Sequence, residues 1–263
     1  GGGKIVYHSF IWEEIMAQEK HTFTYLDEYL IREYFDLKLS KEHLHPTYPL
    51  KLKVSTKEIV IQAETKGDKR TIHVENDTDE SLLKKLRELD DTIKENQLEI
   101  FVVYGRGNNG SERDELEELL EKWNCKPIYL DKQKNGGATL IEKLESNINS
   151  REVGIVLATP DDIGYHDSVE GRINPKYRLR QNVLLELGWL IGKFGRQNII
   201  LLQRNHRDYP IEIASDIYGV VYVDFKDSVN EIQTKQALAK ELFPILVGQN
   251  SHLKGNKYLV IGD

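Results

Sequence analysis

The chain has 263 residues, 39% apolar and 30% charged, enough for one large domain or two modest ones around a buried core. Its 36 basic and 43 acidic residues leave a net charge of −7, and the mean hydropathy is −0.52. These figures exclude a membrane-embedded chain, a collagenous repeat and a fully disordered polymer, and they argue against non-specific nucleic-acid binding. The single cysteine, Cys125, rules out an intrachain disulfide and a Cys-rich zinc centre, and it fits a reducing, cytoplasmic setting. No 18-residue apolar run and no signal peptide are present, so no membrane association is expected. The opening Gly1-Gly2-Gly3 lacks a methionine and reads as an added scar, which leaves the natural N-terminus open.

Residues 1–95 predict a small α+β accessory domain. Ser9 to Leu39 holds two helix-like stretches, one of them Tyr25 to Phe35. His43 and His45 share a strand face, but no third ligand stands at a metal-binding spacing, and a surface pair is the simpler account. Lys51-Leu-Lys-Val-Ser and Glu58-Ile-Val-Ile-Gln-Ala-Glu alternate as strands do. Thr65 to Thr71 then reads as a turn into Ile72-His-Val74, which completes a β-meander. Ser81 to Ile93 predicts a charged connecting helix. No chemistry is legible in this third of the chain.

Residues 96–248 alternate apolar runs with amphipathic stretches, and 249–263 form a tail. Leu98-Glu-Ile-Phe-Val-Val-Tyr104 is a buried-strand signal that ends at Gly105. Ser111 to Trp123 has helical spacing, with Ser111 as N-cap. Strands are expected at Pro127–Leu130, Val153–Ala158, Asn198–Leu202 and Gly219–Phe225. Helices are expected at about Ala138–Ile148, Arg178–Phe194 and Val229–Val247. A long acidic loop fills the space after Thr159-Pro160. Five apolar strands with helical crossovers predict an α/β domain of doubly wound, flavodoxin-like type, its five-stranded parallel sheet ordered 2-1-3-4-5.

In such a sheet ligands sit beyond the carboxyl ends of the strands where the order reverses. Here that edge carries Gly105-Arg106-Gly107-Asn108-Asn109-Gly110 and Thr159-Pro160-Asp161-Asp162. The glycine-rich segment leads into a helix N-terminus, which favours anions, and Arg106 adds a guanidinium fork. Its spacing matches neither standard phosphate-loop pattern, so it serves either as an anion cradle or as a tight turn. On the helix of 178–194, Val183, Leu184, Leu187, Leu190, Ile191 and Phe194 form the predicted core face. Asn182 and Glu186 lie one turn apart on the opposite side, with Lys193 seven residues further along, as a solvated stripe or as a carboxylate aimed into the crevice. Gly188 and Gly192 each cost roughly 1 kcal/mol there relative to alanine, which points to a close backbone approach.

Other residues carry weaker signals. Asp161, Asp162, His166, Asp167 and Glu170 read as a cation-binding loop or a solvated one, the second being simpler without EF-hand spacing. No metal site is expected. Cys125 reads as an indifferent buried thiol. Trp189, one turn past Glu186, serves either to stack on a nucleobase or nicotinamide or to pack on a neighbouring helix.

Five ordered blocks then carry a resemblance. They are Ile100-Phe-Val-Val-Tyr-Gly-Arg106, Asn135-Gly-Gly-Ala-Thr-Leu-Ile-Glu-Lys143, Val156-Leu-Ala-Thr-Pro-Asp-Asp-Ile-Gly164, Arg180-Gln-Asn-Val-Leu-Leu-Glu-Leu-Gly-Trp-Leu-Ile-Gly-Lys193 and Glu212-Ile-Ala-Ser-Asp-Ile-Tyr-Gly-Val-Val-Tyr222. Residues 98–247 resemble the TIR-like domain of bacterial "predicted nucleotide-binding" proteins, effectors of antiphage systems of the CD-NTase-associated TIR-STING type. The resemblance implies a flavodoxin-like fold and NAD⁺ hydrolysis at the nicotinamide–ribose bond, with cyclisation as a side activity. It implies Glu186 as the catalytic glutamate, and a nucleotide pocket around Gly105, Arg106, Thr159, Asp161, Arg180, Asn182 and Trp189. Asn135-Gly136-Gly137 matches the loop that packs on a neighbouring domain in active assemblies. Tyr104 stands where the family often has a histidine.

NAD⁺ would be substrate, with no separate cofactor. A homo-oligomer or filament on activation is implied, as is a signal nucleotide or partner protein for residues 1–95. The alternatives are a non-catalytic scaffold and a sensor that binds nucleotide without turnover.

Overall fold

A computed structural model of the chain describes residues 21–38, 50–66, 69–74, 78–106, 110–129, 153–168, 171–205, 207–208, 210–213, 217 and 219–248. Two compact units divide the chain, Gly1–Glu95 with Phe243–Asp263, and Asn96–Leu242. The expected helix at 138–148, the loop at 135–137, the pair His43 and His45, and the tail at 249–263 lie outside the described residues.

In the first unit β1 (His21–Thr22), α1 (Glu28–Tyr34), β2 (Leu50–Val54), β3 (Lys57–Lys66), β4 (Lys69–Val74) and α2 (Glu80–Glu95) follow in order. The strands pair antiparallel as β1-β4-β3-β2, so the alternating sequence does fold as a meander. Alternation also sets the faces: Leu50 and Leu52 are buried while Lys51 and Lys53 are exposed. Helix α1 is capped by Asp27, whose carboxylate accepts from the backbone N–H groups of Tyr29 and Leu30 at 3.0 and 3.1 Å. Helix α2 buries Leu82, Leu83, Leu86, Leu89 and Ile93 on one face. From the same helix the Asp90 carboxylate accepts backbone N–H bonds from Thr24, Tyr25 and Leu26. That satisfies three donors of a non-regular segment at once and fixes the entry to α1.

The second unit contains β5 (Leu98–Tyr104), α3 (Ser111–Lys122), β6 (Cys125–Ile128), β7 (Val153–Ala158), β8 (Asp162–Ser168), β9 (Gly171–Arg178), α4 (Gln181–Phe194), β10 (Ile199–Arg204), β11 (Ile211–Glu212) and β12 (Val221–Phe225). The last described helix is α5 (Ile232–Gly248). Five strands form one parallel sheet in the order β12-β10-β7-β5-β6. Numbered by their own sequence, that is 2-1-3-4-5, the doubly wound order expected. Burial explains the apolar runs: every residue of β7 is buried, as are Ile100 to Val103 of β5. The core of this unit joins Phe101, Val103, Val156, Leu187, Leu190, Ile199 and Leu201.

Four expectations need correction. Strand β6 starts at Cys125 rather than Pro127, because Cys125 pairs with Leu98 directly after the helix turn. That turn is made by Asn124 in the left-handed region at φ 57°, a conformation asparagine tolerates. The cap of α3 is Gly110 at φ 91°, not Ser111, whose hydroxyl instead donates to Glu112 at 3.2 Å. The acidic loop is a β-hairpin, β8 antiparallel to β9 with β11 alongside, in a separate three-stranded sheet. Ile163 and Tyr165 of β8 are exposed, so its apolar positions mark no core-facing strand.

The fourth correction concerns α4. A Cβ added at Gly188 or Gly192 meets no heavy atom within 4 Å among the described residues, so no described segment approaches these glycines closely. Gly188→Ala and Gly192→Ala are therefore each expected to stabilise the protein by about 1 kcal/mol. A rise in the denaturant midpoint checks this.

Candidate functional site

Two strand ends and one helix start converge at the reversal point of the sheet. Strand β5 ends at Tyr104 and hands over to Gly105 and Arg106, while β7 ends at Ala158 before Thr159. The two strands are neighbours in register, Tyr104 opposite Leu157, so their exits lie side by side. Thr159 is buried, and its hydroxyl donates to the Asp161 carboxylate with both oxygens at 3.0 Å. The backbone turns back at the same place, Asp161 N–H bonding to Thr159 O at 2.9 Å. The backbone N–H of Arg106 also donates to the Asp161 carboxyl group. Gly105 faces that group so closely that any Cβ would overlap it.

Asp161 is thus a clamp between the two central strand exits. Burial pushes its pKa up, and Asp162 adds to this. The hydrogen bonds from Thr159 and Arg106, with the charge of Arg180, pull the other way. Arg180 is the N-cap of α4 at φ −57° and ψ 142°, and no acidic residue occupies the first turn of that helix. The helix therefore starts with its positive dipole end and a guanidinium at the crevice. Gly105, Arg106, Thr159, Asp161 and Arg180 are brought together. Gly105→Ala is expected to eject the Asp161 carboxylate from its two donors, Thr159 and Arg106, a loss of about 1–3 kcal/mol that a shifted denaturant midpoint reads out.

Glu186 stands elsewhere on the same helix. Its side chain is half-buried, whereas Asn182, one turn earlier, is exposed. Val183, Leu187, Leu190 and Phe194 form the buried face, and Glu186 lies on its flank rather than opposite it. At 1.5 Å per residue, Glu186 is about 9 Å along the helix from Arg180. Trp189 shares that flank. It packs against the core cluster and meets the Phe194 ring edge-on, centroids 6.5 Å apart, so its indole is fixed by packing. Leu184, two residues before Glu186, points about 160° away around the helix axis. It lines a cleft of about 800 Å³ with Ile163, Arg178, Gln181 and Glu212, where β8, β9 and β11 approach α4. That cleft and Glu186 are on opposite flanks of α4.

Tyr129 and Arg113, which the sequence did not single out, join Tyr104 at this edge. Tyr104 and Tyr129, the residues at the exits of β5 and β6, meet in a T-shaped contact with centroids 5.7 Å apart. The Arg113 guanidinium lies 5.1 Å above the Tyr104 ring and donates to its hydroxyl at 3.3 Å. Burial, followed by the neighbouring Glu117 carboxylate, pushes the Tyr129 hydroxyl pKa upward. The signal for Tyr104 and Tyr129 was their position at strand ends. A second unforeseen feature is the pair Glu112 and Arg204. Glu112 is 1% exposed, and Arg204 Nη1 stands 3.0 Å from its Oε1, off the line of an ideal hydrogen bond. Arg204 Nε also donates to Lys226 O at 3.1 Å, so this guanidinium joins the start of α3 to the exits of β10 and β12.

Cys125 is buried, and burial pushes its thiol up to about 12, which removes it as a nucleophile. Among the described residues no group of three or more His, Cys, Asp or Glu is placed to hold a metal ion. Asp162, His166 and Asp167, which the sequence offers as part of a cation loop, lie on the edge strand β8. No described helix is long and apolar enough to cross a membrane.

Residues 99–227 match the sequence model of the family described as "CAP12/Pycsar effector protein, TIR domain". The chain is 33% identical to the protein tirC of Dictyostelium discoideum over 143 residues, 53% of this chain and 70% of that one. It is 34% identical to the uncharacterized protein YuaY of Escherichia coli over 128 residues, 49% of this chain and 40% of YuaY. With the Pycsar effector protein PaPycTIR of Pseudomonas aeruginosa it shares 30% identity over 99 residues, 38% of this chain and 30% of that effector. The chain therefore spans less than half the length of either bacterial relative.

Proposed function

Because the chain belongs to the TIR-domain effector family of the CAP12 and Pycsar type, we propose that its second unit is an NAD⁺ glycohydrolase of a bacterial antiphage system, with Glu186 as the catalytic carboxylate. The observation that carries this is the half-buried placement of Glu186 on the flank of the helix that rises from the crevice. A half-buried carboxylate feels less screening than an exposed one, so its field acts on a bound ligand more strongly. Nicotinamide already carries positive charge and leaves without a general acid. Its departure leaves an oxocarbenium-like ribose, and a negative charge beside the ring stabilises that developing cation. One positioned glutamate therefore suffices where many glycosidases need a carboxyl pair. Arg106 and Arg180, with the N-terminus of α4, would hold the anionic pyrophosphate against the global charge of −7. Asn182 and Trp189 extend the same helix surface toward the rest of the dinucleotide.

Assembly of several copies is part of the proposal. Leu185 is 60% exposed, and Ile163, Tyr165 and Leu184 are also exposed large apolar residues, with Ile163 and Leu184 lining one cleft. Such a group is a contact surface in search of a cover. Residues 1–95 would receive the activating signal, a nucleotide or a partner protein. Incubation with NAD⁺ across a range of protein concentrations tests all of this. Loss of NAD⁺ that rises more steeply than protein concentration supports an assembled enzyme. Intact NAD⁺ in the presence of self-association would favour the scaffold reading instead.

A further inference from the structure

We propose that Asp161 is an internal anion seated in the phosphate cradle of the second unit, a built-in competitor that the phosphates of a nucleotide must displace. This rests on the placement of the pyrophosphate at Arg106 and Arg180, and it is independent of whether the nicotinamide–ribose bond is broken.

The groups suited to receive a phosphate at this crevice face a carboxylate of the chain itself. Backbone N–H groups in turns make concave seats for anions. Here the Arg106 N–H donates to the Asp161 carboxyl group, and the Thr159 hydroxyl stands 3.0 Å from each of its oxygens. A glycine at such a turn lets a phosphate approach the backbone closely. Gly105 holds that position, and the Asp161 carboxylate fills the space that a Cβ would occupy over it. Arg180, the N-cap of α4, adds positive charge that favours the ionised form of Asp161.

A carboxylate and a phosphate make the same demand, oxygen acceptors that carry negative charge. The two exclude each other at shared donors and repel each other at neighbouring ones. Displacement is feasible because Asp161 is only half-buried and its exit returns a charge to water. Arg106 is exposed and Arg180 half-buried, so both guanidinium groups are within reach of an incoming anion. Two other roles are open to an aspartate here. As a mere tie between two strand exits it would add stability and leave anion affinity untouched. As a grip on ribose hydroxyls it would strengthen the binding of ribose ligands.

The test is calorimetry on the full chain with inorganic pyrophosphate and ADP-ribose as separate probes. In Asp161→Ala the Kd of both is expected to fall roughly tenfold or more, because a like charge leaves the site. Asp161→Asn keeps the shape and removes the charge, so it should shift both in the same direction by a smaller factor. It decides the matter if circular dichroism shows that the alanine variant does not fold. Adding Arg180→Ala to either variant is expected to erase the gain, which locates the gain at the cradle. A probe that binds the folded variants no more tightly than wild type overturns the proposal, as does a gain that survives Arg180→Ala. ADP-ribose weakened while pyrophosphate is unchanged would show ribose recognition instead. NAD⁺ loss is measured separately on the wild-type chain. Tighter pyrophosphate binding in the variants with intact NAD⁺ would remove the hydrolase and leave the competitor, and the reverse result would do the opposite.

Discussion

Glu186→Gln is expected to slow NAD⁺ loss by about 10²-fold or more while leaving the protein folded, since it removes a charge the transition state needs and keeps the shape. The substitution touches none of the buried face of α4, which is Val183, Leu187, Leu190 and Phe194. Its effect on the denaturant midpoint should therefore be small. A purely structural Glu186 would give the opposite pattern, a lower midpoint with the rate per folded molecule preserved. Kinetics separate the cases further. A group that acts on the developing ribose cation lowers kcat and kcat/KM together, whereas a group that merely binds NAD⁺ raises KM. A well-folded Gln variant with wild-type turnover would remove Glu186 from the mechanism.

Glu112→Gln should cost about 3–5 kcal/mol of stability, the largest single loss expected in the second unit outside its apolar core. Glu112 is 1% exposed and the Arg204 side chain 14%, so removing the carboxylate leaves a guanidinium with little water and, among the described residues, only the Lys226 carbonyl and whatever the amide offers. The penalty comes from stranding that charge rather than from the strength of the pair. Replacing both partners, Glu112→Leu with Arg204→Met, is accordingly expected to recover most of the loss. Denaturant unfolding of the single and double variants checks this. A single variant as stable as wild type would mean that water reaches the pair. Because Glu112 sits in the first turn of α3 and Arg204 at the exit of β10, the variant should also loosen the crevice edge. Lower NAD⁺ turnover per folded molecule would follow.

The sequence was most legible where a segment is buried on both sides. Strands β5 and β7 lie inside the sheet, so their apolar runs mark them almost to the residue. Strand β6 is at the sheet edge, short and interrupted by Pro127, and its start was misplaced by two residues. The hairpin β8–β9 was missed because its apolar residues are few and Ile163 and Tyr165 are exposed, so the segment lacks the apolar run that marks a buried strand. At the crevice, strand order and strand ends alone point to Gly105, Arg106, Thr159 and Asp161. What they do to one another was not legible. The Asp161 carboxylate filling the space over Gly105 joins positions 56 apart in sequence, and nothing local encodes it. The same holds for Glu112 and Arg204, whose spacing matches no motif. Glycines 188 and 192 misled in the other direction, since their backbone cost suggested a close approach that is absent among the described residues.

The central claim, that the second unit breaks the nicotinamide–ribose bond, is tested most directly by following a single sample of the wild-type chain with NAD⁺ by proton NMR as protein concentration is raised. Free nicotinamide should appear in step with the loss of NAD⁺, with ADP-ribose or its cyclic form as the second product, and with a rate that climbs more steeply than concentration. NAD⁺ that stays intact at concentrations where the chain self-associates would contradict the account.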